Sequence, residues 1–488
     1  MASITPSNSE ASSNSETVNY RFPFIVVTAI FFLFGFITVV NDILVPKFKD
    51  DFGLEQWQSN LVQSAFFGAF FLVSLVYFII SVTKGDPINR LGYKNGLVIG
   101  LVTTVAGSLL MWPASNMGTY PLFLGALFII GTGVTFLQIS ANPYVSVLGA
   151  ESSAAMRLNL SQGFNSLGTV LAPLVASLLI YGTLDTRDVN EEGSVKSLYI
   201  ILAIVFGAMA VAIKFIKLPT IHQTAEAPRG IRVFRHRHFP WGMAAIFCYV
   251  GCEVTLGTIL IDYLRDENVL GLTKEESGKY VAFYWGGAMI GRLVGAISLS
   301  GLSQSRKVVF MLGAALISTC IIFATASFKE YLNSGQKLGM DSLWPFLILI
   351  GLNFLFFYLG KAKPNRMVGL FSAVAAGLVA VCIVAPGNIA LWAFIGVGLF
   401  NSIMWSNIFT LSIRGLGNDT GQGSSLLVMM IVGGAIMPPV QGLLMKVDFM
   451  SIRLSLVLIL LGYLYLLFFG FVASQFGLNK QQAAESSV

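Results

Sequence analysis

Three charged side chains, Asp42, Glu253 and Arg292, stand inside long apolar runs. A charge there is costly unless it serves a cavity or a partner. An acid in such surroundings can act reversibly in two ways. It can take up a proton, because desolvation favours its neutral form, or it can hold a hard cation when other oxygens converge on it. Asn41, next to Asp42, offers one such amide oxygen. Neutral polar residues recur at helical spacing in the same runs: Asn60, Gln63 and Ser64; Gln138 and Asn142; Asn159, Gln162, Asn165 and Ser166; Asn401 and Trp405. An amide both donates and accepts hydrogen bonds, and an aromatic face covers the C–H side of a ring. A cavity lined by Gln63, Gln138, Asn142, Gln162, Asn165, Glu253 and Trp405 therefore suits a neutral polyhydroxylated ligand. Asp42, Asn41 and Glu253 are the candidate cation-handling groups.

This is the chemistry of binding, not of bond making. The spans hold no metal-ligand cluster, no nucleotide-binding glycine loop and no Ser/His pair, so no catalytic residue, metal or cofactor is expected. All three histidines, His222, His236 and His238, lie in one polar stretch. Cys248, Cys252, Cys320 and Cys382 lie inside apolar runs and read as small buried residues, with no disulfide framework.

The elements that must position these groups follow from composition. Of 488 residues, 55% are hydrophobic and 11% charged, against about 25% charged in an average soluble domain. The 39 Phe outnumber the 24 Asp and Glu together, and mean hydropathy is +0.76. So little charge cannot cover a soluble protein of this length, and so much hydrophobicity excludes disorder. An all-α polytopic membrane protein remains. The net charge of +6 does not point to nucleic acid, because the basic residues sit in short loops, where they orient a membrane protein.

A span needs about 20 mostly apolar residues. Fourteen runs qualify, near 22–46, 58–82, 94–114, 120–147, 155–182, 198–218, 240–264, 278–300, 307–328, 342–361, 367–386, 389–412, 421–445 and 453–475. The organisation expected is a Ser- and Asn-rich tail (1–19), a six-helix bundle (20–218), a basic linker (219–239), a second bundle with an extra helix pair (240–476) and a tail (477–488). With both termini cytoplasmic, the inner side receives Lys84, Arg90, Lys94, Arg157, the linker, Arg306, Lys307, Lys361, Lys363 and Arg366. The outer side receives the acidic loops around Asp185–Glu192 and Asp266–Glu276. That is the positive-inside arrangement.

Asn142, Gly168 and Pro173 recur as Asn407, Gly433 and Pro438 at one offset of 265 residues. Duplicated six-helix halves around a central site are the architecture of major facilitator transporters. The segment Lys84-Gly-Asp-Pro-Ile-Asn-Arg90-Leu-Gly92-Tyr-Lys94 resembles the superfamily's cytoplasmic motif, with Asn89 where an acid is usual.

Five stretches resemble the fucose–galactose–glucose symporter family within that superfamily. They are Asn41-Asp42-Ile-Leu-Val-Pro46, Gln63-Ser-Ala-Phe66, Ala141-Asn142-Pro143-Tyr144, Arg157-Leu-Asn159-Leu-Ser-Gln162-Gly-Phe-Asn165-Ser166 and Gly423-Ser-Ser425. The resemblance implies twelve spans and a coupling acid at Asp42 with a second acid in span four. Gln138 occupies that second place and cannot titrate. Glu253, with the run Tyr284-Trp-Gly-Gly, is more like the glucose/galactose branch. The expectation is a monomeric symporter of the bacterial inner membrane, importing a hexose with H⁺ or Na⁺. Fucose or N-acetylglucosamine as substrate, and a nontransporting sugar sensor, remain as alternatives.

Overall fold

The computed structural model describes residues 21–54, 58, 61–180, 194–216, 218, 230–334, 344–445, 447 and 450–477. The tails, the acidic loop around Asp185–Glu192 and most of the linker lie outside the described residues. Among those described there is no strand, and a helix stands at each of the fourteen predicted runs.

The first six are α1 (Arg21–Asp51), α2 (Leu61–Lys84), α3 (Tyr93–Met117), α4 (Tyr120–Val147), α5 (Ala154–Ile180) and α6 (Ser194–Phe215). After the linker come α7 (Phe239–Arg265), α8 (Lys274–Ser298), α9 (Gln304–Ser334), α10 (Trp344–Gly360) and α11 (Pro364–Val384). The last spans are broken. One is α12 (Gly387–Asn401) with α13 (Met404–Ile413), the next α14 (Thr420–Met429) with α15 (Gly433–Leu444), and α16 (Val457–Phe471) closes the bundle. Twelve of the fourteen are long and apolar enough to cross a bilayer by themselves. The other two are α5 and α10, the latter apolar but only 17 residues long.

Equivalent packing shows how the halves correspond. In the first half α1 packs on α5, and α3 packs on α4 and α6; in the second, α7 packs on α15, and α11 on α12 and α16. Gly168 and Gly433, one repeat apart, do the same work. A Cβ on Gly168 would lie 2.4 Å from the Phe32 carbonyl oxygen of α1, and one on Gly433 2.2 Å from that of Phe247 on α7. Only glycine lets the paired backbones approach so closely. Since α11 holds the place that α3 holds in the first half, α9 and α10 are the inserted pair. The numbering agrees: α1 and α7 start 218 residues apart, α3 and α11 271. α9 has the most exposed window of the twelve qualifying spans, 22% buried, and lies at the periphery.

The halves meet where α5 packs on α8, α2 and α4 on α14, and α5 on α13. Pro143 does not stop α4; the helix runs on to Val147. Proline lacks the N–H that would bond the carbonyl four residues back. The carbonyl so freed, that of Ile139, accepts the Ser424 hydroxyl from the other half at 3.2 Å.

Candidate functional site

A cavity with about 630 Å³ of free space, its open mouth included, lies between the halves. Its first-half wall comprises Phe34, Gly35 and Thr38 of α1, Phe67 and Phe70 of α2, Gln138 of α4, and Gln162, Asn165 and Thr169 of α5. The facing wall brings Tyr249, Val250 and Glu253 of α7, Arg292 of α8, Trp405 of α13 and Ile431. The repeat is polar on one side only: at the offset of 265, Gln138, Gln162 and Asn165 become Ile403, Leu427 and Met430. Amides thus face aromatics and one ion pair.

Five of the seven residues expected to line a ligand cavity are brought together here: Gln138, Gln162, Asn165, Glu253 and Trp405. Gln63 and Asn142 are not on the wall. Asn142 is fully buried one turn beyond Gln138, and neither of its amide atoms has a hydrogen-bond partner among the described residues. Asn401 is spent on structure, accepting from the Tyr463 hydroxyl at 2.7 Å and donating to that of Tyr284 at 3.4 Å. Asn41 turns away from the cavity, its Oδ1 accepting the Tyr199 hydroxyl of α6 at 2.9 Å. The side chain of Asp42 lies outside the described residues.

Arg292 answers the question its position in a span raises. It pairs with Glu253 at 3.4 Å, and both side chains are nearly buried. Its Nε donates to the Ser402 carbonyl at 3.1 Å, an acceptor left available where α12 breaks before α13. Its Nη1 donates across the interface to the Ser166 hydroxyl of α5. The Tyr284 hydroxyl donates to the Glu253 carbonyl at 3.0 Å, fixing α8 to α7 beside the pair. A buried pair of this kind needs such extra bonds to offset its desolvation.

Toward the linker the halves are joined directly. Asn159 Nδ2 donates to Asn407 Oδ1 at 2.9 Å, one of the predicted repeat residues meeting an amide of α5. Farther along, Asp86 caps the short helix Pro87–Leu91, accepting from the Ile88 amide at 2.9 Å and the Tyr77 hydroxyl at 2.5 Å. Its carboxylate also lies against the first turn of α14, where a Cβ on Gly421 would come within 2.3 Å of Oδ2. A helix N-terminus favours a negative charge. Burial pushes the Asp86 carboxyl upward in pKa, and the bonds from Tyr77 and nearby backbone amides oppose that shift. Asn89 Nδ2 donates to the Asn418 carbonyl at 2.8 Å, so the amide standing where an acid is usual still spans the halves.

Gln422 completes this closure. Its Nε2 donates to Ser81 Oγ at 3.3 Å and to the Gly230 carbonyl at 3.2 Å, and its Oε1 accepts from the amides of Arg232 and Val233. Arg232 and His236 of the linker both lie 3.6 Å from Asp419. The basic motif of this region is legible in the residues, whereas nothing in them marks Gln422 or Asp419 as its counterparts. They carry no periodicity that marks them.

Known proteins share this plan. The Major Facilitator Superfamily profile matches residues 26–359. The chain belongs to the major facilitator superfamily. A glucose/galactose transporter of Brucella abortus is 35% identical over 480 residues, covering 97% of this chain and all of the relative. The L-fucose-proton symporter of Escherichia coli is 30% identical over 448 residues, 87% of each. A crystal structure of that fucose:proton symporter, FucP, in the outward conformation superposes with a TM-score of 0.71 at 27% identity, covering 93% of this chain and 99% of the other. A superfamily of transporters is not a family of enzymes, which agrees with a site built for binding.

Proposed function

We propose that this protein imports a hexose of the glucose/galactose type by cation symport, its two halves rocking to expose the cavity alternately. The observation that carries the reading is the cavity itself. One wall presents Gln138, Gln162 and Asn165 for sugar hydroxyls, and the other presents Tyr249 and Trp405 for the ring. The Brucella abortus relative that shares nearly the whole chain is named for glucose and galactose. The linker end is the cytoplasmic end, as the Lys and Arg bias requires. Closed there, the chain faces outward. The cavity is complete within one chain, as a working monomer in the inner membrane needs.

Asp42 is the coupling acid, and Glu253 links the cation to the sugar through its pair with Arg292. The cation is a proton. Asn41 Oδ1 already accepts the Tyr199 hydroxyl, which leaves fewer oxygens to converge on sodium. The test is uptake of labelled glucose into vesicles, driven first by a pH gradient without sodium and then by a sodium gradient at constant pH. Accumulation with the pH gradient alone is expected, and Asp42→Asn should exchange glucose without concentrating it. Accumulation of fucose or N-acetylglucosamine in preference to glucose would replace the substrate. Binding without transport would make the protein a sensor.

A further inference from the structure

Arg292 is already held within its own half, by Glu253 at 3.4 Å and by the Ser402 carbonyl at 3.1 Å. Its third bond, to Ser166, serves neither purpose, for it crosses to the other half. Ser166 is buried and lies one turn beyond Gln162 and next to Asn165, both on the cavity wall. At this level α5 and α8 are in close contact: a Cβ on Gly163 would come within 2.5 Å of the Leu293 side chain. Rocking the halves must shear that contact, and the Arg292–Ser166 bond lies across the plane of shear.

We propose that the Arg292–Ser166 bond is a brake on the empty carrier that the sugar releases. A hydroxyl of a hexose seated on Gln162 and Asn165 takes the place of Ser166 as the acceptor for Arg292 Nη1. One hydrogen bond breaks and one forms, no proton is transferred, and Glu253 continues to balance the guanidinium charge. A ligand shifts a conformational equilibrium only by its differential interaction with the two states, and the exchange of acceptors supplies that difference. Arg292 would then distinguish a loaded cavity from an empty one. The inference rests on the hexose reading given above.

The test compares two fluxes of the full-length protein in proteoliposomes. Equilibrium exchange of labelled glucose uses only loaded carriers, whereas net efflux into sugar-free medium also requires the empty carrier to return. The wild type is expected to exchange several-fold faster than it supports net efflux. Ser166→Ala should raise the ratio of net efflux to exchange several-fold, and Ser166→Thr, which keeps the hydroxyl, should restore the wild-type ratio. A wild-type ratio near one, an unchanged ratio in Ser166→Ala, or a Thr variant that behaves like Ala would each overturn the brake. A wild-type protein that exchanges no hexose would overturn the hexose reading and the brake together, and so is distinguishable from failure of the brake alone.

Discussion

The cavity and the closure at the linker end use the same residue types in opposite ways. In the closure, amides and carboxylates are largely engaged by protein partners, Asp86 Oδ2 and Asn89 Oδ1 excepted: Gln422 alone engages Ser81, Gly230, Arg232 and Val233. In the cavity, Gln138, Gln162 and Trp405 border open space. Between the two lies a buried layer in which Asn142, and one amide atom each of Asn159 and Asn407, lack partners among the described residues. Unpaired buried polar atoms are costly, so these atoms favour parting of the halves, while the Asn159–Asn407 bond and the closure beyond it oppose parting. A carrier needs such a balance. Were every layer satisfied, one state would be fixed.

The strongest way to break this contrast is to orphan a charge in the cavity. Arg292→Ala leaves Glu253 buried without its partner, which costs about 3–5 kcal/mol. A large fall in thermal stability in detergent is expected, with recovery of most of it when Glu253→Gln is added. A double variant no more stable than the single one would show that the pair does not account for the loss.

Next in size are changes to the amide wall. Gln162→Ala and Asn165→Ala each leave ligand hydroxyls unpaired, about 1–3 kcal/mol, or roughly a 5- to 150-fold loss of hexose affinity by equilibrium binding. They should differ in stability. Asn165 also donates to the Phe31 carbonyl at 3.0 Å, tying α5 to α1, so its variant should melt earlier than that of Gln162. Equal melting with unchanged affinity in both would make this face purely structural.

The closure can be opened without touching the cavity. Gly421→Ala places a Cβ against the Asp86 carboxylate, an overpacking worth about 1–3 kcal/mol. The expected result is slower uptake with hexose affinity within about threefold of wild type. A cysteine introduced at position 89 should also become more reactive toward a thiol reagent. Unchanged reactivity would remove Asp86 and Gly421 from the closure.

The smallest effect is a pH limb at the linker. Burial, followed by the charges of Arg414 and His236, lowers His238 from 6.5 to about 4. A base with a depressed pKa is neutral when folded, so its contribution is complete above the unfolded value and is lost as pH falls from about 6.5 toward 4. Near pH 5.5 the loss is roughly 1 kcal/mol. Thermal stability should decline over that window, and His238→Gln should flatten the decline.

Much of this was legible in the residues. Fourteen helices stand at the predicted runs because a bilayer forces each run of backbone to satisfy itself, which is a local requirement. The mid-span positions of Asp42, Glu253 and Arg292 marked all three as unusual, but nothing in their spacing said that Arg292 pairs with Glu253. Gly168 and Gly433 advertised equivalent crossings before any crossing was known. Asp86 was visible only as part of a motif, and its acceptor role at α14 was not, since the partner is more than 300 residues away.

Sequence alone determined the class, the number of helices, the duplication and the set of polar groups available, because hydropathy and helical period act within a segment. Tertiary structure alone decided which of those groups face the cavity. Helical spacing places Gln138 and Asn142 on one stripe and Asn401 and Trp405 on another, yet only Gln138 and Trp405 reach the wall. Period fixes the angle between residues of one helix, not the rotation of that helix about its axis or the level along it that the cavity reaches. The rotation is set by contacts such as Gly168 on Phe32 and Gly433 on Phe247, and by a proline whose freed carbonyl is taken by the opposite half.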